Sequence, residues 1–419
     1  MSPVMRRAAL GDLCTLVTDG THDSPKILLE GVPFIKGKHI SNGRIDFAAC
    51  DFISRHDHLE VIARSKPERG DTLFSNIGSV GDAAFVDTDV EFSIKNVALF
   101  KPDTSQVEPR YLYYLLCSDR VKGEMLAAKS GSAQPFLSLG ALRRHEVDVH
   151  ASVDTQRLIA SILGAYDDLI EMNRRRVTVL EEMARGLFEE WFVRFRFPGH
   201  EEVHIVGSHE SPRPKGWEVG TLRNIATLKS GFAFKSQTFD PDGLFSLVTI
   251  KHVHDGRIVP PFLSKLAELP KNLPTHCRLE VGDMLLSLTG NVGRVCLAWG
   301  ENLVLNQRVA KVEAARADLR AFAYAWFRQP QTLRLLEQIS NGVAQQNLSP
   351  VRAMELPFLI PPASLTSAYQ AIAGPMLQAT INAQITTRNL QSQRDLLLPR
   401  LMSGELCVVA AERELEEAA

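Results

Sequence analysis

Two hydrophobic periodicities alternate along this chain. Short apolar runs come first: VPFIKG (32–37), TLFSNI (72–77) and VALF (97–100). Their length and their Gly and Asn neighbours predict β-strands. The run YLYYLLCSDRVKGEML (111–126) follows and predicts a helix. The same succession returns later, with SLVTI (246–250), MLLSL (284–288) and VLNQRVAKV (304–312) as strands and AFAYAWFRQPQTLRLLEQI (321–339) as helix.

After each set comes a much longer helical pattern. From Asp154 to about Trp191, apolar residues step by three and four through Ile159, Ile162, Tyr166, Leu169, Leu180, Met183, Leu187 and Trp191. Asn173 and Arg176 sit on the same stripe, with Val177 beside it. A polar residue on such a seam either fixes the register of pairing or marks a solvent gap, and both readings stay open. The counterpart, from about Ser364 to Leu401, carries Ile372, Met376, Ile381, Leu390 and Leu397 on one side. Gly374-Pro375 is expected to kink or restart it, because proline removes a helix hydrogen bond. Gly404 is expected to end it. Helices this long and one-sided need cover. Antiparallel pairing with each other, as a coiled coil, is the simplest arrangement and places the globular units at opposite ends. A helix of about 38 residues spans roughly 57 Å.

The succession is a duplication. KHISNGRI (38–45) returns as KHVHDGRI (251–258), with five of eight positions identical. GDTLFSNIGSVG (70–81) returns as GDMLLSLTGNVG (282–293), and GSAQPFLS (131–138) as GVAQQNLS (342–349). The offsets are 213, 212 and 211, in the same order, far longer than a solenoid repeat of ~20–50 residues. The expected fold is α+β, with two tandem mixed α/β domains, two long antiparallel helices and a pseudo-twofold internal repeat. The expected layout is a first domain at 1–150, a central helix at 151–196 and a linker at 197–215. A second domain at 216–362, a C-terminal helix at 363–407 and an acidic tail at 408–419 follow. Gly43, Gly70, Gly81 and their repeats read as turn residues of the sheets.

Composition narrows the function classes. The six cysteines (14, 50, 117, 277, 296 and 407) are scattered, with no C-x-x-C, so reduced thiols are expected and structural zinc is not. The longest apolar run, YLYYLLC, falls far short of the ~18 residues of a membrane span, and Gly11 and Asp12 interrupt any signal-peptide core. A cytoplasmic protein is expected. The formal net charge of −2 argues against a stand-alone DNA clamp, since neutralised phosphates supply most non-specific affinity. It leaves room for local basic patches.

Catalytic motifs are not found. IPPA (360–363) has the two prolines of an amino-methyltransferase motif but neither flank, and GVPFIKGKH (31–39) lacks P-loop spacing. His252, His254 and Asp255 form H-x-H-D, but Ser41 replaces His254 in the other half and a Gly256 turn follows, so no metal site is expected. No resident cofactor is expected either.

Three further segments carry a family resemblance. LEEMARGLFEEWFVRFRFPGHE (180–201), SPRPKGWE (211–218) and RDLLLPRLMSGEL (394–406) resemble the central conserved region, the entry to the second target-recognition domain and the C-terminal end of type I restriction–modification specificity subunits. The resemblance covers essentially the whole chain. It implies two target-recognition domains on two conserved helices, with no catalytic centre. The implied partners are double-stranded DNA, two adenine-methylating modification subunits and restriction (motor-nuclease) subunits. S-adenosylmethionine, ATP and Mg²⁺ would belong to those partners. The implied DNA site is bipartite, one half-site per domain. A methylation-only complex and a protein-binding adaptor are the alternatives.

Base reading calls for amides, arginines and histidines that reach base edges, with phosphate contacts to place them. In the first domain the candidates are Thr21, His22 and Ser24 in DGTHDSP (19–25), with Lys36, Lys38, Arg44, Asn76, Lys95 and Gln134. In the second they are Lys229, Ser230, Lys235, Lys251, Arg257, Asn291, Gln307, Arg308, Gln345 and Gln346. Residues that differ between the halves are the stronger candidates, because the two half-sites usually differ. Helix pairing is assigned to Ile159, Ile162, Tyr166, Leu169, Asn173, Leu180, Leu187, Ile372, Met376, Leu390 and Leu397.

Overall fold

A computed structural model describes residues 4–41, 43–78, 80–127, 136–207, 212–342 and 346–406. The chain forms two compact units, Met1–Ile170 with Asn389–Ala419, and Glu171–Arg388.

The first unit holds strands β1 (Met5–Ala9), β2 (Cys14–Asp19), β3 (Val32–Lys36), β4 (Ile40–Ser41), β5 (Arg44–Ile45) and β6 (Asp51–Ile53). Helix α1 (Arg55–Ile62) leads to β7 (Thr72–Phe74), β8 (Ala83–Phe85), β9 (Ser93–Lys95) and β10 (Ala98–Pro102). Helices α2 (Pro109–Cys117), α3 (Asp119–Ala127) and α4 (Leu139–Arg144) precede β11 (Glu146–His150) and the long α5 (Val153–Phe188). Four sheets result, in the orders β2-β10-β7-β8, β6-β3-β9, β1-β11 and β4-β5.

The second unit repeats this plan. After a small hairpin of β12 (Ile205–Val206) and β13 (Arg213–Pro214) come β14 (Glu218–Thr221), β15 (Ala226–Ser230), β16 (Phe245–Val248), β17 (Val253–His254), β18 (Arg257–Ile258) and β19 (Lys265–Leu266). Then follow β20 (Met284–Ser287), β21 (Val295–Leu297), β22 (Leu303–Leu305) and β23 (Val309–Ala314). Helices α6 (Arg320–Phe327), α7 (Pro330–Gln338) and α8 (Pro350–Met354), strand β24 (Pro357–Ile360) and the long α9 (Ala363–Met402) complete it. The sheets run β15-β23-β20-β21, β19-β16-β22, β14-β24 and β17-β18, strand for strand the order of the first unit. Turn conformations repeat as well: Gly43 and Gly256 have φ of 76° and 74°, where a side chain would be strained.

Each long helix is divided between the units. In the first, the start of α5 meets the end of α9: Ile159, Ile162 and Tyr166 share a core with Leu397 and Leu401. In the second, the end of α5 meets the start of α9, and Ala184 and Phe188 share a core with Tyr369, Ala373 and Leu377. The Tyr369 hydroxyl donates to the Ala184 carbonyl at 2.9 Å. The pairing is antiparallel.

Two expected seam residues face outward. Leu169 is 41% exposed and Ile170 takes the buried place; Ile372 is 43% exposed and Ala373 is buried instead. A helix turns every 3.6 residues, so a strict heptad count drifts off the buried stripe, and here the step from Tyr166 is four residues, not three. Met183 is exposed for the same reason, beside buried Ala184. Leu180, Leu187, Met376 and Leu390 are half-buried, and Asn173 is buried. Nor does Gly374-Pro375 interrupt α9, which is one helix throughout. Tyr369, Ala373 and Leu377 anchor this stretch in the second core, and that packing offsets the missing amide hydrogen bond. Part of the segment 197–215 is described, as residues 197–207 and 212–215. It includes β12 and β13, and the Phe197 ring lies 5.9 Å from Trp217.

The cysteines at 14, 50, 117, 277 and 296 are free. Among the described residues, no helix is long and apolar enough to cross a membrane.

Candidate nucleic-acid interface

Three strand ends bring most of the first domain's candidates together. Strands β3 and β9 pair in parallel, with Lys36 opposite Lys95. Thr21 bridges to Lys95 on its other side, giving the row Lys36, Lys95, Thr21. Such a row needs close backbone approach. A Cβ on Gly20 would lie 2.2 Å from the Ile94 carbonyl oxygen, so glycine is required there for space.

The side chains of this row are held in place. Lys95 donates to the Ser24 hydroxyl. Lys36 pairs with Asp51 at 2.7 Å, and that hydrogen bond holds the Asp51 carboxyl below its ordinary range. His22 lies between two oxygens: Nδ1 is 2.8 Å from Asn96 Oδ1 and Nε2 is 3.2 Å from Asp19 Oδ2. Asp19 is buried and also receives Arg64. Lys38 and Arg44 stand exposed on the turn and the β4-β5 hairpin that follow β3.

The second domain has the same row with different chemistry. Phe232 bridges to Asn306 in the geometry of Thr21 and Lys95. Gly231 makes the matching close approach, since a Cβ there would lie 2.3 Å from the Asn306 carbonyl oxygen. Gln307 donates its amide N–H to the Phe232 carbonyl at 3.0 Å. Arg308 accepts from the Leu288 N–H at 2.9 Å, and Gln346 accepts from the Gly290 N–H at 3.1 Å through their carbonyls. These contacts gather exposed Gln307, Arg308, Asn291 and Gln346 around one turn. Lys235, Lys251 and Arg257 are exposed as well, the last of them on β18.

Other candidates fall outside this picture. Asn76 is buried, 2% exposed, and its amide donates to the Leu137 carbonyl at 3.2 Å. It stands where the other domain has buried Leu288, and its amide is turned to the backbone. Lys229 is engaged by Glu313 at 2.6 Å across β15 and β23, and the Ser230 carbonyl meets His276 Nε2 at 2.9 Å. Gln134 and Gln345 lie outside the described residues. The H-x-H-D nitrogens face the backbone: His252 Nδ1 accepts from the Thr249 N–H at 3.0 Å, and His254 Nε2 lies 3.2 Å from the Lys251 carbonyl.

Sequence reasoning missed Asp19, Asn96 and Asn306. Asn306 was open to discovery, because it lies 211 residues after Lys95, the repeat offset itself. Nothing in the sequence pairs Asp19 or Asn96 with His22.

The model of the type I restriction–modification DNA specificity domain matches this chain twice, over residues 6–182 and 214–392. The chain belongs to that family. This specificity subunit is similar to the type I restriction enzyme MjaIX specificity subunit of Methanocaldococcus jannaschii, at 26% identity over 72% of this chain and 70% of the relative. It is also similar to the HindI specificity subunit of Haemophilus influenzae, at 22% identity over 90% of this chain and 94% of the relative. In fold it resembles the crystal structure of a type I restriction–modification S subunit from M. genitalium, with a TM-score of 0.56, 17% identity and 96% of each chain covered. Its activity is DNA sequence recognition within a type I restriction–modification system.

Proposed function

We propose that this specificity subunit reads a bipartite double-stranded DNA site, one half per domain, and gathers the subunits that act there. One observation carries the reading. The two domains present the same row of strand ends but fill it differently, with Thr21 and Lys95 in one and Phe232 and Asn306 in the other. A shared frame with changed side chains suits two half-sites of different sequence. Lysine favours the acceptor edge of guanine, and asparagine or glutamine the paired donor and acceptor of adenine.

The two antiparallel helices supply a scaffold for two modification subunits and, where the system cuts, restriction subunits. Methyl transfer and cleavage, with S-adenosylmethionine, ATP and Mg²⁺, belong to those partners, in the cytoplasm. A chain of net charge −2 makes few phosphate contacts of its own, so the partners supply much of the grip. Genome-wide mapping of methylated adenines in cells with and without this chain tests the reading. A two-part methylated motif is expected to vanish when the chain is removed. An unchanged methylation pattern would overturn the proposal.

A further inference from the structure

The repeated segments KHISNGRI and KHVHDGRI each contain a buried histidine, His39 in one and His252 in the other. His39 and His252 are 3% and 9% exposed. Two contacts repeat in both copies, at Nδ1 and at the backbone carbonyl, while the far ring nitrogen differs: His39 Nε2 is buried without a partner, and the His252 ring also bonds the Pro261 backbone. His39 Nδ1 accepts from the Lys36 N–H at 3.1 Å, and His252 Nδ1 accepts from the Thr249 N–H at 3.0 Å. The His39 carbonyl accepts from the Asp46 N–H at 2.8 Å, and the His252 carbonyl from the Val259 N–H at 2.8 Å. Each histidine therefore closes a loop at both ends. The ring holds the residue three places before it, and the backbone holds the residue seven places after. Between those two points stand Lys38 and Arg44 in one domain, and Lys251 and Arg257 in the other.

We propose that His39 and His252 are positioning residues that clamp the Lys38–Arg44 and Lys251–Arg257 segments in their DNA-reading conformation. The inference rests on the DNA-reading assignment above. An amide N–H is donated to Nδ1, so Nδ1 must carry a lone pair and the ring must be neutral. Burial works in the same direction, holding both rings below the ordinary histidine range. Around His39 the charged groups are Lys36, Lys38, Asp46 and Asp51; around His252 they are Lys251 and His254. The Phe262 ring packs edge-on against His252, with centroids 4.8 Å apart.

Isosteres separate this role from bulk packing. Asparagine places its oxygen where Nδ1 sits; glutamine reaches toward Nε2 and leaves the N–H unmet. The test uses the assembled methyltransferase complex on its own target duplex and on duplexes altered in one half-site. His39→Asn and His252→Asn are expected to bind within about threefold of wild type. His39→Gln and His252→Gln are expected to lose roughly tenfold or more, each with weakened discrimination in one half-site only. Specific binding by the wild type is expected to fall as the pH drops well below 6.5, with a flatter profile in the double asparagine variant. If the glutamine variants fail to assemble, this comparison of pH profiles decides alone. Identical profiles, or glutamine variants that discriminate as wild type does, would overturn the clamp. A wild-type complex with no preferred sequence would instead overturn the DNA-reading assignment.

Discussion

Asp167 on α5 accepts a hydrogen bond from the Tyr114 hydroxyl at 2.6 Å, and its other oxygen meets Arg394 of α9 at 2.5 Å. One carboxylate thus joins α2, α5 and α9 within the first unit. Asp167→Asn keeps the shape but removes the charge that Arg394 faces. A loss of about 1.5–3 kcal/mol is expected, the range for hydrogen bonds to charged groups. Urea unfolding measures it, and hydrogen exchange should place the lost protection in α2 and the end of α9. A change within experimental error would show that solvent replaces the carboxylate.

Glycine at the strand ends is required for space, and that predicts a half-specific defect. Gly20→Ala forces a Cβ against the Ile94 carbonyl, and Gly231→Ala does the same at Asn306. Each is expected to displace its own loop, lowering stability by about 1–3 kcal/mol. Methylation assays on duplexes altered in one half should show Gly20→Ala changing preference at one half-site and Gly231→Ala at the other. Equal effects on both would contradict the assignment of one domain to each half.

The duplication was the most legible feature of the sequence. Three collinear matches foretold that the two units share one plan, and the offset of 211 residues links Lys95 to Asn306 across the domains. Helix length and antiparallel pairing followed from apolar spacing. Facing was harder, because Leu169 and Ile170 are equally apolar and only the accumulated helical phase separates them. Pro375 misled for a related reason: local propensity opposes the helix there, while the packing of Tyr369 and Leu377 sustains it. At the interface, composition could nominate polar residues but not their partners. Asn76 and Lys229 looked available, and each is held by a residue far away in sequence, Leu137 and Glu313.

Acid should weaken the fold earlier than the carboxylates alone would. His39, His58 and His252 are all held below 6.5, first by burial. Such a group binds fewer protons folded than unfolded, so its contribution is fully present above pH 6.5 and is lost as the pH falls below it. Urea midpoints taken from about pH 8 to about pH 5 are expected to stay level and then decline. A midpoint that rises over the acidic half of that range would contradict the burial of these rings.

The most direct measurement is the sequence selected from random duplexes by the assembled complex, for wild type, Lys95→Ala and Asn306→Ala. These two residues hold equivalent places in the two domains. The wild type is expected to select two short specified segments separated by an unread gap. Lys95→Ala should relax one segment and Asn306→Ala the other, each leaving its opposite intact. Relaxation of the same segment by both variants, or of neither, would contradict the division of reading between the two domains.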